Sequence, residues 1–356
     1  MTWLNLNGKV FSIGELKNIS VDLGRSEFEK STLKFCKSWL NDQQEFTIQT
    51  SGSTGTPKEI TLTRSAMKAS ARQTIKALEL KPGETSLVCL DTKYIAGQMM
   101  LVRSLVQGMN LIAIEPSGNS LSSINQKIDF TALVPYQLEK IIKDSPEKLD
   151  SIRCAIVGGA AVSNSLLEKV RKSKCAIYAT YGMTETISHV ALQKLNGVNV
   201  GEYFHALENI TLRLDRRGCL CIKAEYLNEE IITNDLVELV TPGVFKWLGR
   251  TDNVINSGGV KIIPEKVEAA IEKIFDSLQI KNRFFVAGLP SEKLGQQLAI
   301  VIEGKPFDPA ITKKILSEAD KSLHKYEQPK EFRFIEKFVE TATGKINRAA
   351  NTVQIL

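Results

Sequence analysis

No stretch of the 356-residue chain reaches the roughly 18 uncharged apolar residues that a membrane-crossing helix needs. The opening segment, MTWLNLNGKVFSIGEL, also lacks the basic stretch followed by a continuous apolar run that a secretory leader requires. Both absences point to a cytoplasmic protein without a membrane anchor. Clustered cysteine is missing too: the six cysteines stand apart at 36, 89, 154, 175, 219 and 221. On a strand Cys219 and Cys221 would share a face, but no second Cys or His cluster completes a zinc site, so the cysteines read as small buried hydrophobes. There is no extended low-complexity tract and no internal repeat. The net charge of +6 is dispersed among 40 acidic residues without a basic stripe, which argues against nucleic acid and is compatible with small anionic ligands.

What is present is an ordinary globular composition, 43% hydrophobic and 24% charged, in a chain longer than one core usually grows. The segment SEFEKSTLKFCKSWL carries a helical apolar face within a mixed first 45 or so residues. From Phe46 to about Val240 short apolar runs (86–90, 110–114, 130–134, 154–159, 175–182) alternate with amphipathic ones (64–80, 97–108, 136–142, 165–172). That rhythm predicts an α/β sheet with ligand loops at strand ends. ITLRLDRRGCLCIKA and DLVELVTPGVFKWLG, with turn signals DRRG and TPG, predict a small antiparallel sheet. Beyond Gly249 come a loop NSGGVKIIP, a helix from about Pro264, two strands, a helix near Ile311 and a last strand, EFRFIEKF. The expected fold is therefore α/β: a large α/β domain with a small β subdomain, then a small α+β domain, with a boundary near Arg250 to Asn253.

The segment Thr50 to Lys58, TSGSTGTPK, combines hydroxyl residues, two glycines and a lysine in a loop before a strand, which makes an anion cradle. It is not a Walker loop, because Pro57-Lys58-Glu59 stands where Gly-Lys-Ser/Thr would be needed. Downstream lie IVGGAAV (156–162), ATYGMTET (179–186), ITNDLVEL (232–239), GRTDNVINSGGVKI (249–262) and TATGKINR (341–348). Each is weak alone; a strand-to-helix Gly-Gly turn, a strand-start aspartate and a lysine near a chain end all have commoner explanations. Glu185 and His189 have an i, i+4 spacing that imitates part of a transition-metal site, but further ligands are missing.

Taken in order, these segments resemble the signatures of the adenylate-forming superfamily of acyl-CoA synthetases, peptide-synthetase adenylation domains and luciferase, over about Phe46 to Arg348. The resemblance implies an acid–thiol ligase that uses ATP, Mg²⁺ and CoA to activate a small carboxylic acid. It implies that Thr50, Ser51, Gly52, Ser53, Thr54, Gly55 and Lys58 bind phosphate, that Gly159, Ala160 and Ala161 line the adenine, and that Tyr181 and Gly182 lie beside it. It further implies that Thr184 binds the α-phosphate, Glu185 holds Mg²⁺, Asp235 accepts the ribose hydroxyls and Arg250 reaches ribose or phosphate. Lys345 would be the adenylation lysine, and Ser257, Gly258 and Gly259 would border the pantetheine channel. Asp252 would be the hinge, so that the domains become 1–249 and 253–356 about a 250–252 joint.

The segment YIAGQMMLVRSLVQGMNLIAIEP (94–116) resembles a helix of o-succinylbenzoate:CoA ligases, enzymes of menaquinone synthesis. It implies an acyl pocket near Tyr94, Gly97, Gln98 and Arg103, the arginine serving the carboxylate that is not activated. Two departures stand out. Tyr94 occupies a position where many relatives have histidine, and about 50 residues precede the phosphate loop where relatives have well over 100. Acid, oligomeric state (monomer or homodimer) and resting domain orientation stay open at this stage.

Overall fold

The structure is a computed structural model that describes residues 3–49, 59–341 and 345–356. Its centre is a run of six parallel strands in the spatial order Ala176–Gly182, Ile152–Val157, Ile128–Leu133, Thr85–Val88, Asn110–Ala113 and Trp3–Leu6. These strands read as nearly unbroken apolar runs because both faces are covered. Side chains alternate along them. Leu111, Ala113, Cys154 and Ile156 join the core on one face. Ile112, Ala155 and Val157 join the core on the other. Helices Ile95–Gln107, Pro135–Asp144 and Asn164–Val170 make the crossovers.

The antiparallel strands expected as a separate small sheet instead continue the same ladder, through His189–Lys194 on Ala176–Gly182, to give thirteen strands in all. The chain start closes the opposite edge. Trp3–Leu6 and Lys9–Ser12 pair around Asn7-Gly8, and φ values of 47° and 91° at those two residues fit the mirror-image turn that Asn-Gly favours. The helix Glu27–Leu40 buries Phe28, Leu33, Phe35, Cys36 and Trp39. Arg64 stacks its guanidinium 4.3 Å from the Trp39 ring centroid.

Beyond Arg250, strands Ile255–Ser257, Val260–Ile262, Phe284–Ser291, Gly295–Glu303 and Glu331–Ile335 form a second sheet. Helices Pro264–Ser277 and Pro309–Ser322 pack on it and give it an apolar core of its own. The segment expected as a loop at NSGGVKIIP is a hairpin: Ser257 faces Val260, and Gly258 and Gly259 turn the chain with φ of 59° and 81°. All six cysteines are free and buried. Among the described residues no helix is long and apolar enough to cross a membrane, and no group of three or more His, Cys, Asp or Glu is placed to hold a metal ion.

Candidate active site

A cleft of about 790 Å³ opens at the carboxyl ends of the parallel strands, where an open α/β sheet places its ligands. Leu133, Val134, Gly158, Gly159, Thr180 and Gly182 line its floor; Asp235, Arg250 and Lys345 line the side nearest the second sheet. The floor needs glycine for steric reasons. A Cβ at Gly158 would come within 2.3 Å of Thr180 Oγ1, and one at Gly182 within 2.4 Å of the Ser188 carbonyl.

After Gly182 the signature segment leaves the sheet in a tight turn. The Thr186 hydroxyl accepts from the Met183 N–H at 2.9 Å and donates to the Ser188 carbonyl at 2.7 Å. Buried Ile187 sits at φ 71°, a left-handed conformation that is strained for a β-branched residue. The turn carries Thr184 and Glu185 to the cleft. Glu185 is exposed and, among the described residues, has no protein partner. It is not brought together with His189: the intervening chain is a turn entering a strand rather than a helix, and His189 is buried.

Asp235, 6% exposed, lies opposite Arg250 in the strand register. It accepts from Tyr181 Oη at 2.7 Å, Trp247 Nε1 at 3.3 Å and Arg250 Nη1 at 3.3 Å. Tyr181, expected beside the base, packs its ring 5.0 Å from Phe245 and 5.9 Å from Phe204, so it meets the site through its hydroxyl. Burial and the Asp235 carboxylate push that phenol well above its usual range, so it remains a donor. Arg250 Nη2 also donates to Asp252 at 2.8 Å, and Asn234 Nδ2 donates to Asp252 at 3.0 Å. Lys345 is exposed as a residue, but the cleft walls around its ammonium and the nearby Arg250 guanidinium hold it below the ordinary lysine range, partly offset by Asp235.

Arg103 also lines the cleft and is 2% exposed on the helix Ile95–Gln107. Its Nη2 donates to Ser188 Oγ at 2.6 Å and lies 3.4 Å from His189 Nδ1; its Nε is buried without a partner. Among the described residues no carboxylate pairs with it. Burial pushes it down to about 9, still protonated at neutral pH. His189 Nε2 stands 3.0 Å from Thr74 Oγ1. Burial, then the Arg103 charge, hold His189 well below its ordinary value. A histidine whose folded value is depressed stabilises the fold fully above its unfolded value of about 6.5, and that contribution is lost as pH falls. His189→Gln is therefore expected to flatten the acid side of the stability–pH curve below about pH 6.5, where the histidine contributes a slope of at most about 1.4 kcal/mol per pH unit; denaturant midpoints across pH 4–8 read this directly.

The remaining expected residues are placed as follows. Thr50, Ser51, Gly52, Ser53, Thr54, Gly55 and Lys58 lie outside the described residues; the strands on either side, Glu45–Gln49 and Glu59–Thr63, pair antiparallel. Ala160 and Ala161 are exposed just past the glycine turn. Ile95 and Ala96 line the cleft, whereas Tyr94, Gly97 and Gln98 do not. Gly97 instead packs where a Cβ would meet the Asp91 carbonyl at 2.4 Å, and Gln98 leaves Oε1 buried and unpartnered. Ser257, Gly258 and Gly259 stand away from the cleft lining. Ser188, His189, Thr180 and Trp247 were not singled out for these contacts by sequence; the strand after the signature is buried at four successive residues, His189 to Leu192, so alternation gives no signal for the direction of His189.

Comparison with known proteins gives the family of the chain. The family described as AMP-binding enzyme matches residues 23–213, more than half of the chain. An acyl-CoA synthetase (AMP-forming)/AMP-acid ligase II-like protein from Dyadobacter fermentans is 40% identical in sequence, with 96% of this chain and 97% of that one covered at a TM-score of 0.64. A probable 2-succinylbenzoate–CoA ligase of Mycobacterium tuberculosis is 26% identical over 334 residues, 87% of this chain and 84% of that protein. The fold also matches o-succinylbenzoate coenzyme A synthetase of Bacillus subtilis, solved with ATP and magnesium, at a TM-score of 0.75 and 23% identity over 86% of this chain and 69% of that one. The chain belongs to the AMP-binding enzyme family, whose AMP-forming acid–CoA ligases share its two-domain fold.

Proposed function

We propose that the acid this ligase activates is o-succinylbenzoate, converted to its acyl-adenylate with release of pyrophosphate and then to the CoA thioester, a step in menaquinone biosynthesis. The observation that carries the reading is Arg103: a buried guanidinium in the cleft wall, without a carboxylate partner among the described residues. A monocarboxylic acid would leave that cation uncompensated after activation, whereas a dicarboxylic acid supplies its anion. The curated ligases that the chain resembles carry this substrate in their names.

The substrate carboxylate attacks the α-phosphorus, the bond to pyrophosphate breaks, and the mixed anhydride formed is then attacked by the CoA thiol. Lys345 donates to the negative charge that develops at the α-phosphoryl group, with Thr184 beside it. Asp235 accepts from the ribose hydroxyls; its Trp247 and Arg250 bonds, both 3.3 Å, are long enough to yield. Gly159, at φ 86° on the floor, lets backbone approach the base. The Glu185 carboxylate, which has no protein partner among the described residues, would hold Mg²⁺. When bound, that ion neutralises triphosphate charge.

Lys345 serves adenylation, whereas thioester formation needs other groups to face the anhydride while the acyl pocket keeps its hold on the acid. In this reading the 253–356 unit rotates about 250–252, breaking the contacts of Asp252 with Arg250 and Asn234, and brings Ser257, Gly258 and Gly259 to the pantetheine path. The test is acid-dependent pyrophosphate release across a panel. Release with o-succinylbenzoate, and little with benzoate or fatty acids, is expected; release with the latter alone would sink the assignment.

A further inference from the structure

We propose that His189, as a neutral imidazole accepting from Arg103, is the positioning residue that holds this guanidinium for the substrate without consuming its charge; the inference rests on Arg103 receiving the second carboxylate. Arginine has no acceptor, so in the 3.4 Å contact between Nη2 and His189 Nδ1 the ring nitrogen is the acceptor and carries no proton, and the Ser188 hydroxyl, 3.5 Å from the same Nδ1, can then only donate to it. The proton is then on Nε2, where it is donated to Thr74 Oγ1 at 3.0 Å, and the Thr74 hydroxyl continues to the Ser70 carbonyl at 3.4 Å. One chain of donors thus runs from the cleft into the helix Arg64–Ala77 and sets both the tautomer and the ring plane.

The choice of partner matters chemically. Ser188 Oγ and His189 Nδ1 both engage Nη2, which leaves Nε and Nη1 without a protein acceptor among the described residues. A carboxylate at position 189 would hold the arginine equally firmly. It would also form an internal ion pair and cancel the attraction for an incoming anion. A neutral acceptor orients the cation and leaves its charge for the ligand.

The experiment combines two measurements on the full chain. The first is the ¹⁵N spectrum of the imidazoles, simple because there are three histidines, assigned by the loss of one signal in His189→Gln. His189 is expected to be neutral with the proton on Nε2 at pH 7; a charged ring, or a proton on Nδ1, overturns the proposal. The second compares kcat and KM for o-succinylbenzoate and for the same acid lacking the aryl carboxylate. His189→Gln, which keeps an acceptor, is expected to hold the wild-type preference for the diacid within about threefold, whereas His189→Asp lowers it at least about tenfold through KM rather than kcat. Equal preference in His189→Asp and wild type, or equal losses in the two variants, refutes it. If the wild type itself shows no preference for the diacid, the substrate assignment fails, and the tautomer still decides whether His189 is the acceptor for Arg103.

Discussion

Replacing Lys345 with alanine is expected to slow acid-dependent pyrophosphate release by about 10²–10³-fold, the usual cost of removing one donor from a developing anionic charge. The lysine lines the cleft together with Thr184, Asp235 and Arg250. Its backbone is tied on both sides: Thr341 N–H donates to the Lys345 carbonyl at 2.8 Å, and Lys345 N–H donates to Thr341 Oγ1 at 3.2 Å. Glu340 and Ile346 form an antiparallel bridge beside this pair. The side chain is therefore presented from an anchored strand-like pair, and removing it should leave stability unchanged, because the residue is exposed. The diagnostic comparison uses preformed acyl-adenylate. Its conversion to thioester should survive in Lys345→Ala within a few-fold, since the thiol attacks an already activated carbonyl. Equal slowing of both half-reactions would show that Lys345 acts on something other than adenylation. Burial in the cleft, then the Arg250 charge, depresses the ammonium. The alkaline loss of adenylation should therefore come earlier than an ordinary lysine would dictate, and Arg250→Met should move it upward.

The parallel half of the sheet is legible because its physics is written one strand at a time. Runs such as Ile152–Val157 are apolar on both faces, and an amphipathic helix such as Asn164–Val170 must follow to cover them. The site residues Asp235, Arg250, Thr184 and Lys345 meet in one cleft although they are spread over 162 positions of sequence, from 184 to 345. What escaped local reading depends on long-range pairing. Nothing in ITLRL or DLVEL says that the antiparallel strands will extend the parallel sheet, since that follows from His189–Lys194 pairing back on Ala176–Gly182 with a bulge at His189. The same pairing sets His189 beside Arg103. Asn7-Gly8 was an available hairpin signal, flanked by alternating residues, and Gly258-Gly259 was another that reads as a loop until its flanks are seen to pair. Tyr181 shows the limit of a motif: its letter marks the site, while strand alternation and the Phe204–Phe245 stack decide which way its ring faces.

Arg103→Met should have effects of opposite sign on activity and stability. Removing the guanidinium leaves the second carboxylate of the acid in a buried site without its cation, a loss of about 2–5 kcal/mol in binding. That corresponds to a fall in kcat/KM for o-succinylbenzoate of about 30- to 5,000-fold, carried mainly by KM; the acid lacking the aryl carboxylate should change far less. Stability should move the other way. Among the described residues, Arg103 is a buried cation whose Nε makes no hydrogen bond and whose partners are a serine hydroxyl and a neutral imidazole. Methionine fills similar volume with no charge to desolvate, and replacement of poorly compensated buried charge by packed apolar atoms is commonly neutral or stabilising by about 1–4 kcal/mol. The strain of holding an unpaired charge is thus stored in the free enzyme and relieved when the acid binds, so wild type should gain more thermal stability from the diacid than Arg103→Met does. A variant that loses diacid selectivity and also unfolds more easily would mean that Arg103 supports the fold, and the anion it serves would have to be sought within the protein.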